Sequence, residues 1–240
     1  MNLNFAERSF SGKTFRPTPE VFIDPLTNTV IVATSWSVQD VAKKVVNRII
    51  DYISFSKEDP EATSPFPRLT CLTSSANRLR IATLLANDGL YREHNQNEYK
   101  AGVELFAAYV EGNELIWLQA GNPQVVLIRE NGLVLPLGSQ IDHSFDFSNS
   151  DQSLLPPLPA NMLGLDPTIN ISVNSFRCRP RDRIVLLSHS HLPMNVFSKK
   201  VIDLSIEEIS REIGHLHPDT AHWIGVIDIE GESTRGQDHE

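Results

Sequence analysis

Hydrophobic positions change period several times along the chain, and each change marks an element. Val21–Ile23 and Thr29–Thr34 are apolar runs that predict strands, flanking Asp24-Pro25-Leu26-Thr27-Asn28, whose proline and asparagine suit a turn. Val38, Val41, Ala42, Val45, Val46, Ile49, Ile50 and Ile53 then recur at steps of three and four. Lys43, Lys44, Asn47 and Asp51 fill the other side, so an amphipathic helix is expected, with Ser37 and Asp40 as its N-terminal cap. Pro60 to Pro67 reads as a loop. A second helix is predicted from about Thr73 to Leu90, burying Ala76, Leu79, Ala82, Thr83, Ala86 and Leu90. Glu93–Lys100 reads as a solvated stretch.

The clearest β signal follows. AGVELFAAYV, ELIWLQA, QVVLIRE and LVLPL are short apolar runs separated by Glu111-Gly112-Asn113, Gly121-Asn122-Pro123 and Asn131-Gly132. They predict an antiparallel meander, with Asn131-Gly132 as a two-residue hairpin turn. Ser148–Asn161, rich in Ser, Asn and Pro, is expected to be a long irregular connection. Ile169–Phe176 alternates as a half-buried strand does. Arg179-Pro180-Arg181-Asp182 suits a turn, Arg183–Ser188 a buried strand, Ser205–Leu216 a helix and Ala221–Ile229 a last strand. Two antiparallel sheets with helices outside would bury every one of these apolar faces. The expected fold is therefore α+β, a four-layer α-β-β-α sandwich, formed by one domain over 1–230 with a frayed tail at 231–240.

Composition narrows the function. Acids number 30 and bases 21, giving a formal net charge of −9, which a phosphate backbone repels, so no nucleic acid is expected as partner. No stretch has the length and apolarity of a membrane span, and the N-terminus lacks a secretory pattern. Cys71 and Cys178 cannot make a disulfide framework and read as buried small side chains in a reducing compartment. A cytoplasmic location is the expectation. From Glu130 to Phe176 there is no Lys or Arg, while Glu130, Asp142, Asp146, Asp151 and Asp166 are acidic.

The meander, residues 102 to 137, resembles the central block of the metal-dependent protein phosphatases, the PPM or type 2C Ser/Thr family. Ile141-Asp142-His143-Ser144 is similar to that family's Asp-His-Ser, and Leu163–Pro167 lies where it often has a Leu-Gly segment. RDRIVLLSHSHL, residues 181 to 192, is similar to its Gly-Asp-Arg-apolar-Ser-Asp-Gly-Leu. Asp219-Thr220 resembles the Asp-Asn before its last strand. The similarity runs from about Gly12 to Glu230. It implies a scaffold on which Asp carboxylates and a glycine carbonyl hold two divalent ions, which activate a water against a phosphoester. Hard oxygen ligands of that kind suit Mg²⁺ or Mn²⁺.

Most of the positions that the resemblance makes metal ligands hold other residues. Thr34 stands for an Asp in Val32-Ala33-Thr34-Ser35, with Ser35 at the glycine; His189 stands for an Asp; and Asn122 stands for the Asp of Gly-Asp-Ser-Arg. Near the N-terminus two registers are open. Either Glu20 takes a metal-ligand position and Phe15 that of the family's phosphate-binding Arg, or Arg16 takes the latter and Val21 the former. Asp219 alone is clearly kept. Two divalent ions against at most two carboxylates predict that the standard two-metal centre is absent, so no cofactor is expected and the first reading is a catalytically degenerate phosphatase. Such a protein would be a binding or regulatory module for a protein partner, phosphorylated or not. The second reading is an active phosphatase whose altered site uses Asp219, His189 and Glu20 with Mg²⁺ or Mn²⁺. The third is a structural subunit of an assembly. His189 with Asp219, and His191, His215, His217 and His222 nearby, leaves Zn²⁺ as a further option. Ser188 and His189 point to opposite faces of a strand and cannot pair for nucleophilic catalysis. Trp36 after Thr34 reads as core packing, with plugging of the cleft or anchoring of a partner as the alternatives.

Overall fold

A computed structural model describes residues 2–37, 41–58, 64–138, 159–188, 197 and 203–231. Val38, Asp40, Pro60, Ile141-Asp142-His143-Ser144, most of the 148–161 connection, His189-Ser190-His191 and the tail from 232 lie outside the described residues.

Among the described residues ten strands form two five-stranded antiparallel sheets. The first has the order β1 (Asn2–Phe10), β10 (His222–Glu230), β9 (Arg183–Ser188), β6 (Gln124–Ile128) and β7 (Val134–Gly138). The second has the order β2 (Glu20–Asp24), β3 (Thr29–Ser35), β4 (Val103–Glu111), β5 (Glu114–Ala120) and β8 (Val173–Arg177). Helices α1 (Ala42–Glu58) and α2 (Ser74–Leu90) cover the outer face of the second sheet, and α3 (Ile206–Leu216) covers that of the first. The layers are α-β-β-α, as the hydrophobic pattern requires. Among the described residues no helix is long and apolar enough to cross a membrane.

Strand alternation sorts the core into three layers. Ile31, Ala33, Val103, Leu105 and Ala107 face α1 and α2. Val30, Val32, Phe106, Ala108, Trp117, Leu186, Trp223 and Ile227 meet between the sheets. Val126, Val185, Leu187, Ile224 and Val226 face α3. Each such aliphatic side chain stabilises the fold by about 1.5–3 kcal/mol through removal from water. The helix starts are capped as their sequences suggest. Thr73 accepts from the Ala76 N–H at 3.2 Å, and Ser205 with Glu208 forms a reciprocal capping box before α3.

Several expectations need correction. β1 was not predicted: only Leu3 and Phe5 turn apolar side chains to the inter-sheet core, and the next residue on that face is Glu7, whose carboxylate accepts from Trp223 Nε1 at 2.9 Å. Asn131-Gly132 is not a two-residue primed turn, since types I′ and II′ both need positive φ at the first central residue and only Gly132 has it, at 81°. A longer loop spans 129–133, closed by Arg129 N–H to the Leu133 carbonyl at 2.9 Å. Glu93–Lys100 is not wholly solvated. Asn95 is buried; its carbonyl accepts from the Lys100 and Ala101 N–H groups and its amide donates to the Ala101 and Gly164 carbonyls. The strand expected over 169–176 begins only at Val173, while Ile169 and Ile171 pack beneath the helices. Cys71 is exposed rather than buried; Cys178 is buried, and that burial pushes its thiol up to about 11.

Candidate functional site

The strands carry the candidate residues to one end of the inter-sheet space. Thr34 pairs with Glu104 across β3 and β4, and alternation from Val30 and Val32, and from Phe106 and Ala108, turns both side chains inward. Gly121-Asn122-Pro123, with its cis Asn122–Pro123 bond, passes there from β5 of one sheet to β6 of the other. β9 ends at the same place in Ser188, on the face shared with Ile184 and Leu186.

Glu104 is the centre of this end, and its side chain has no exposed surface. Its Oε2 accepts from Trp36 Nε1 at 2.9 Å. Its Oε1 accepts from Asn122 Nδ2 at 2.9 Å and from the Asn122 backbone N–H at 3.2 Å. Arg16, with a side chain only 2% exposed, faces it with Nη1 3.8 Å from Oε2. The Arg16 guanidinium carbon also lies 5.9 Å from the centroid of Trp36, within cation–π range. Burial pushes the Glu104 carboxyl above its ordinary range, with Arg16, Trp36 and Asn122 pulling it back. Gly121 completes the packing. Its φ is +68°, and a Cβ there would lie 2.9 Å from Glu104 Cγ, so glycine answers both the backbone and the space.

Three more polar atoms are buried here. Thr34 Oγ1, Asn122 Oδ1 and Ser188 Oγ have no hydrogen-bond partner among the described residues. Ser35 turns outward from this cluster: its hydroxyl lies 3.2 Å from that of Ser37 and accepts from the Val41 N–H before α1.

β2 places the two N-terminal candidates, Glu20 and Val21, on opposite faces. Glu20 pairs with Ala33, whose side chain faces the helices, so Glu20 shares that face and not the one holding Thr34 and Glu104. Val21, opposite Val32, takes the inward position. Asp219 sits at the rim. Its carboxylate, with a side chain 42% exposed, pairs with Lys13 Nζ at 2.9 Å. Its carbonyl accepts from the Lys13 and Thr14 N–H groups, and Gly12 packs so closely that a Cβ there would lie 2.4 Å from Ala221 N. Glu20 and Asp219 are thus held apart from the buried cluster, and His189 lies outside the described residues.

His222 faces α3. It stacks on Phe10 with centroids 4.8 Å apart, and its Nε2 lies 3.3 Å from Ser210 Oγ. Burial lowers its pKa to about 4. Among the described residues no three His, Cys, Asp or Glu side chains converge to hold a metal ion. A cavity of about 210 Å³ borders Arg16 and His222, with Ser9, Ser11, Thr14 and Thr18 also in its wall.

Sequence reasoning had reached Arg16, Thr34, Asn122 and Trp36 but not Glu104, the residue that joins them. The signal was present: Glu104 is the one charge inside AGVELFAAYV, in step with the inward-facing Phe106 and Ala108.

No family model matches the sequence, and no curated protein does. Solved structures do match the fold. The serine/threonine phosphatase PstP/Ppp of Mycobacterium tuberculosis is 15% identical, with a TM-score of 0.62, and the match covers 96% of this chain and all of that one (100%). PppA, a key regulatory component of T6SS in Pseudomonas aeruginosa, is 17% identical with a TM-score of 0.63, covering 93% of this chain and 96% of that one. The PPM Ser-Thr phosphatase MsPP of Mycobacterium smegmatis is 15% identical with a TM-score of 0.58, over 94% and 98% of the two chains. A PstP catalytic domain among these neighbours is in complex with two manganese ions. Two antiparallel five-stranded sheets between helices, matched over nearly the whole chain, give this protein the PPM-type serine/threonine phosphatase fold.

Proposed function

We propose that this chain is a non-catalytic member of its fold class, a protein-binding or regulatory module built on a phosphatase scaffold. The observation that carries the reading is the buried Arg16–Glu104–Trp36–Asn122 network. A two-metal centre needs several free carboxylates converging on one open place. Here the inward positions offer the neutral hydroxyl of Thr34, the apolar Val21 and one carboxylate whose oxygens are already engaged by Trp36 and Asn122. Arg16 brings a fixed positive charge to the same place, which a divalent ion would have to approach. The donor set of the described residues therefore does not fit two Mg²⁺ or Mn²⁺ ions, and no hydrolytic step is derived through them. A regulatory role has a parallel in PppA, described as a regulatory component. Recognition of a protein partner fits a scaffold retained without its metal ligands. No partner of nucleic acid is supported by a net charge of −9.

Hydrolysis of an aryl phosphate, with Mn²⁺ and with EDTA, beside an Asp219→Ala control, tests this. The expected result is no turnover above the control at any metal concentration. Turnover that needs Mn²⁺ and disappears in the control would replace this reading with that of an active phosphatase using a rebuilt site.

A further inference from the structure

The segment Arg177–Arg183, from the end of β8 to the start of β9, holds four arginines and one acid, in a chain whose net charge is −9. Its turn is built around that acid. Asp182 is buried, accepts from the Arg179 N–H at 2.9 Å and faces Arg129 Nη1 at 3.5 Å. Arg129 Nη2 in turn donates to the Arg177 carbonyl at 3.4 Å. The turn is also tied to β10: the Arg181 N–H donates to the Ile229 carbonyl at 2.9 Å, and the Ile229 N–H to the Asp182 carbonyl at 2.9 Å. Arg183 is engaged by Asp228, through Nε at 2.7 Å and Nη2 at 3.1 Å. Arg177, Arg179 and Arg181, on alternate residues, are exposed.

These three contribute little to folding. Among the described residues the Arg177 and Arg179 guanidinium groups make no hydrogen bond or ion pair. Glu114, directly opposite Arg177 on β5, accepts from Ser175 Oγ instead. Arg181 pairs with Glu130, but both side chains are mostly solvated, and such a pair is weak. Arg181 also has a φ of +67°, a conformation that strains any residue with a Cβ and that glycine enters freely. A strained arginine beside two more whose charges are unclaimed points to a ligand outside the chain. Guanidinium forks match carboxylates, each of which can take two parallel N–H donors. The net charge of −9 opposes a long phosphate backbone, and the patch is a single turn, so a short acidic run is the better match.

We propose that Arg177, Arg179 and Arg181 dock an acidic segment of a protein partner, one rich in Asp and Glu carboxylates. This gives the protein-binding reading a surface. The turn lies at the opposite end of β9 from Ser188, so the docking site holds whether or not the chain is catalytic.

Fluorescence anisotropy with a labelled oligoglutamate peptide tests it, on the full chain in EDTA at low ionic strength, beside an oligoglutamine peptide of the same length. Wild type is expected to bind oligoglutamate alone, and more weakly as salt is added. Arg177→Gln/Arg179→Gln is expected to bind at least about tenfold more weakly. Lys43→Gln/Lys44→Gln removes the same charge from the exposed side of α1 and is expected to stay within about twofold of wild type. Arg181→Gly relieves the backbone, so its urea midpoint is expected to stay at or above that of wild type while binding falls about threefold. No binding above that of oligoglutamine overturns the site, as does an equal loss in the two double variants. Binding by Arg181→Gly equal to that of wild type overturns the part given to the strained arginine. A single-stranded oligothymidylate bound more tightly than oligoglutamate at equal ionic strength, through the same arginines, overturns the choice of an acidic protein segment. The peptide carries no phosphate, so none of these outcomes depends on phosphoester hydrolysis.

Discussion

Arg16–Glu104 and Lys13–Asp219 are two ion pairs whose cations lie three positions apart on one loop, yet they sit in different media. The inner pair is 3.8 Å long, with side chains 2% and 0% exposed. The rim pair is shorter, at 2.9 Å, with side chains 77% and 42% exposed. Distance alone would rank the rim pair first. Solvent reverses the order. Water screens the rim charges and accepts either one alone, so the pair contributes little. The inner charges are shielded from water: removing one takes a counter-charge from the other in a low-dielectric interior. Surviving carboxylates are therefore poor guides to a working site unless their surroundings are known. Asp219, the clearest metal-ligand candidate in the sequence, sits on the rim with a lysine, whereas Glu104, which no motif singled out, organises the interior.

The largest effect that could break this contrast is expected for Glu104→Ala. It takes the buried carboxylate away from the Arg16 charge and should cost about 3–5 kcal/mol in urea denaturation. Arg16→Met/Glu104→Leu should cost less than Glu104→Ala, because no charge is left behind; a double variant as damaged as the single one would show that shape rather than charge is at stake.

A second test uses pH. His222 titrates at about 6.5 when unfolded and about 4 in place, lowered first by burial and further by His217 and Arg16. A depressed histidine contributes stability that is present above about pH 6.5 and is lost as pH falls toward 4, roughly 3 kcal/mol at most. Urea midpoints of wild type should fall across that window more steeply than those of His222→Gln. Equal slopes would place the loss on other groups.

Trp36→Phe sharpens the comparison at intermediate scale. It keeps the ring but withdraws the N–H from Glu104 Oε2, so a loss of about 1–2 kcal/mol is expected from the same denaturation series. The smallest effect belongs to Asp219→Ala, expected within about 1 kcal/mol of wild type and closer still in high salt. A loss comparable to that of Glu104→Ala would mean that the rim is as interior as the cluster.

Much of the fold was legible because its elements announce themselves locally. α1, α2 and α3 carry apolar residues at three- and four-residue steps, and β3, β4, β5, β6 and β9 are apolar nearly throughout. β1 was illegible because its pairing is remote. Its Glu7 looks like a solvent-facing residue until Trp223, 216 positions away, supplies the N–H that lets it face inward. Asn95 escaped for the same reason, since its burial depends on the Gly164 carbonyl. At the site, sequence spacing located Arg16, Thr34 and Asn122 but could not choose between Glu20 and Val21. That choice depends on strand register, where a shift of one residue reverses the face.

The pairing of β1 with β10 also bears on how the chain is made. Asn2 lies opposite Glu230 and Phe10 opposite His222, and among the described residues β1 has no other strand beside it. During synthesis β1 precedes the other nine strands described and must wait for β10, its one neighbour in the sheet among the described residues, while β2 to β5 can pair in sequence as they appear. Until β10 emerges the nascent chain carries an unclaimed strand whose Leu3 and Phe5 lack β10 residues of their core, such as Trp223 and Ile227. The first sheet is thus completed from the two ends of the domain at once, and a ribosome stalled before β10 holds a chain with the second sheet available and β1 still without its partner.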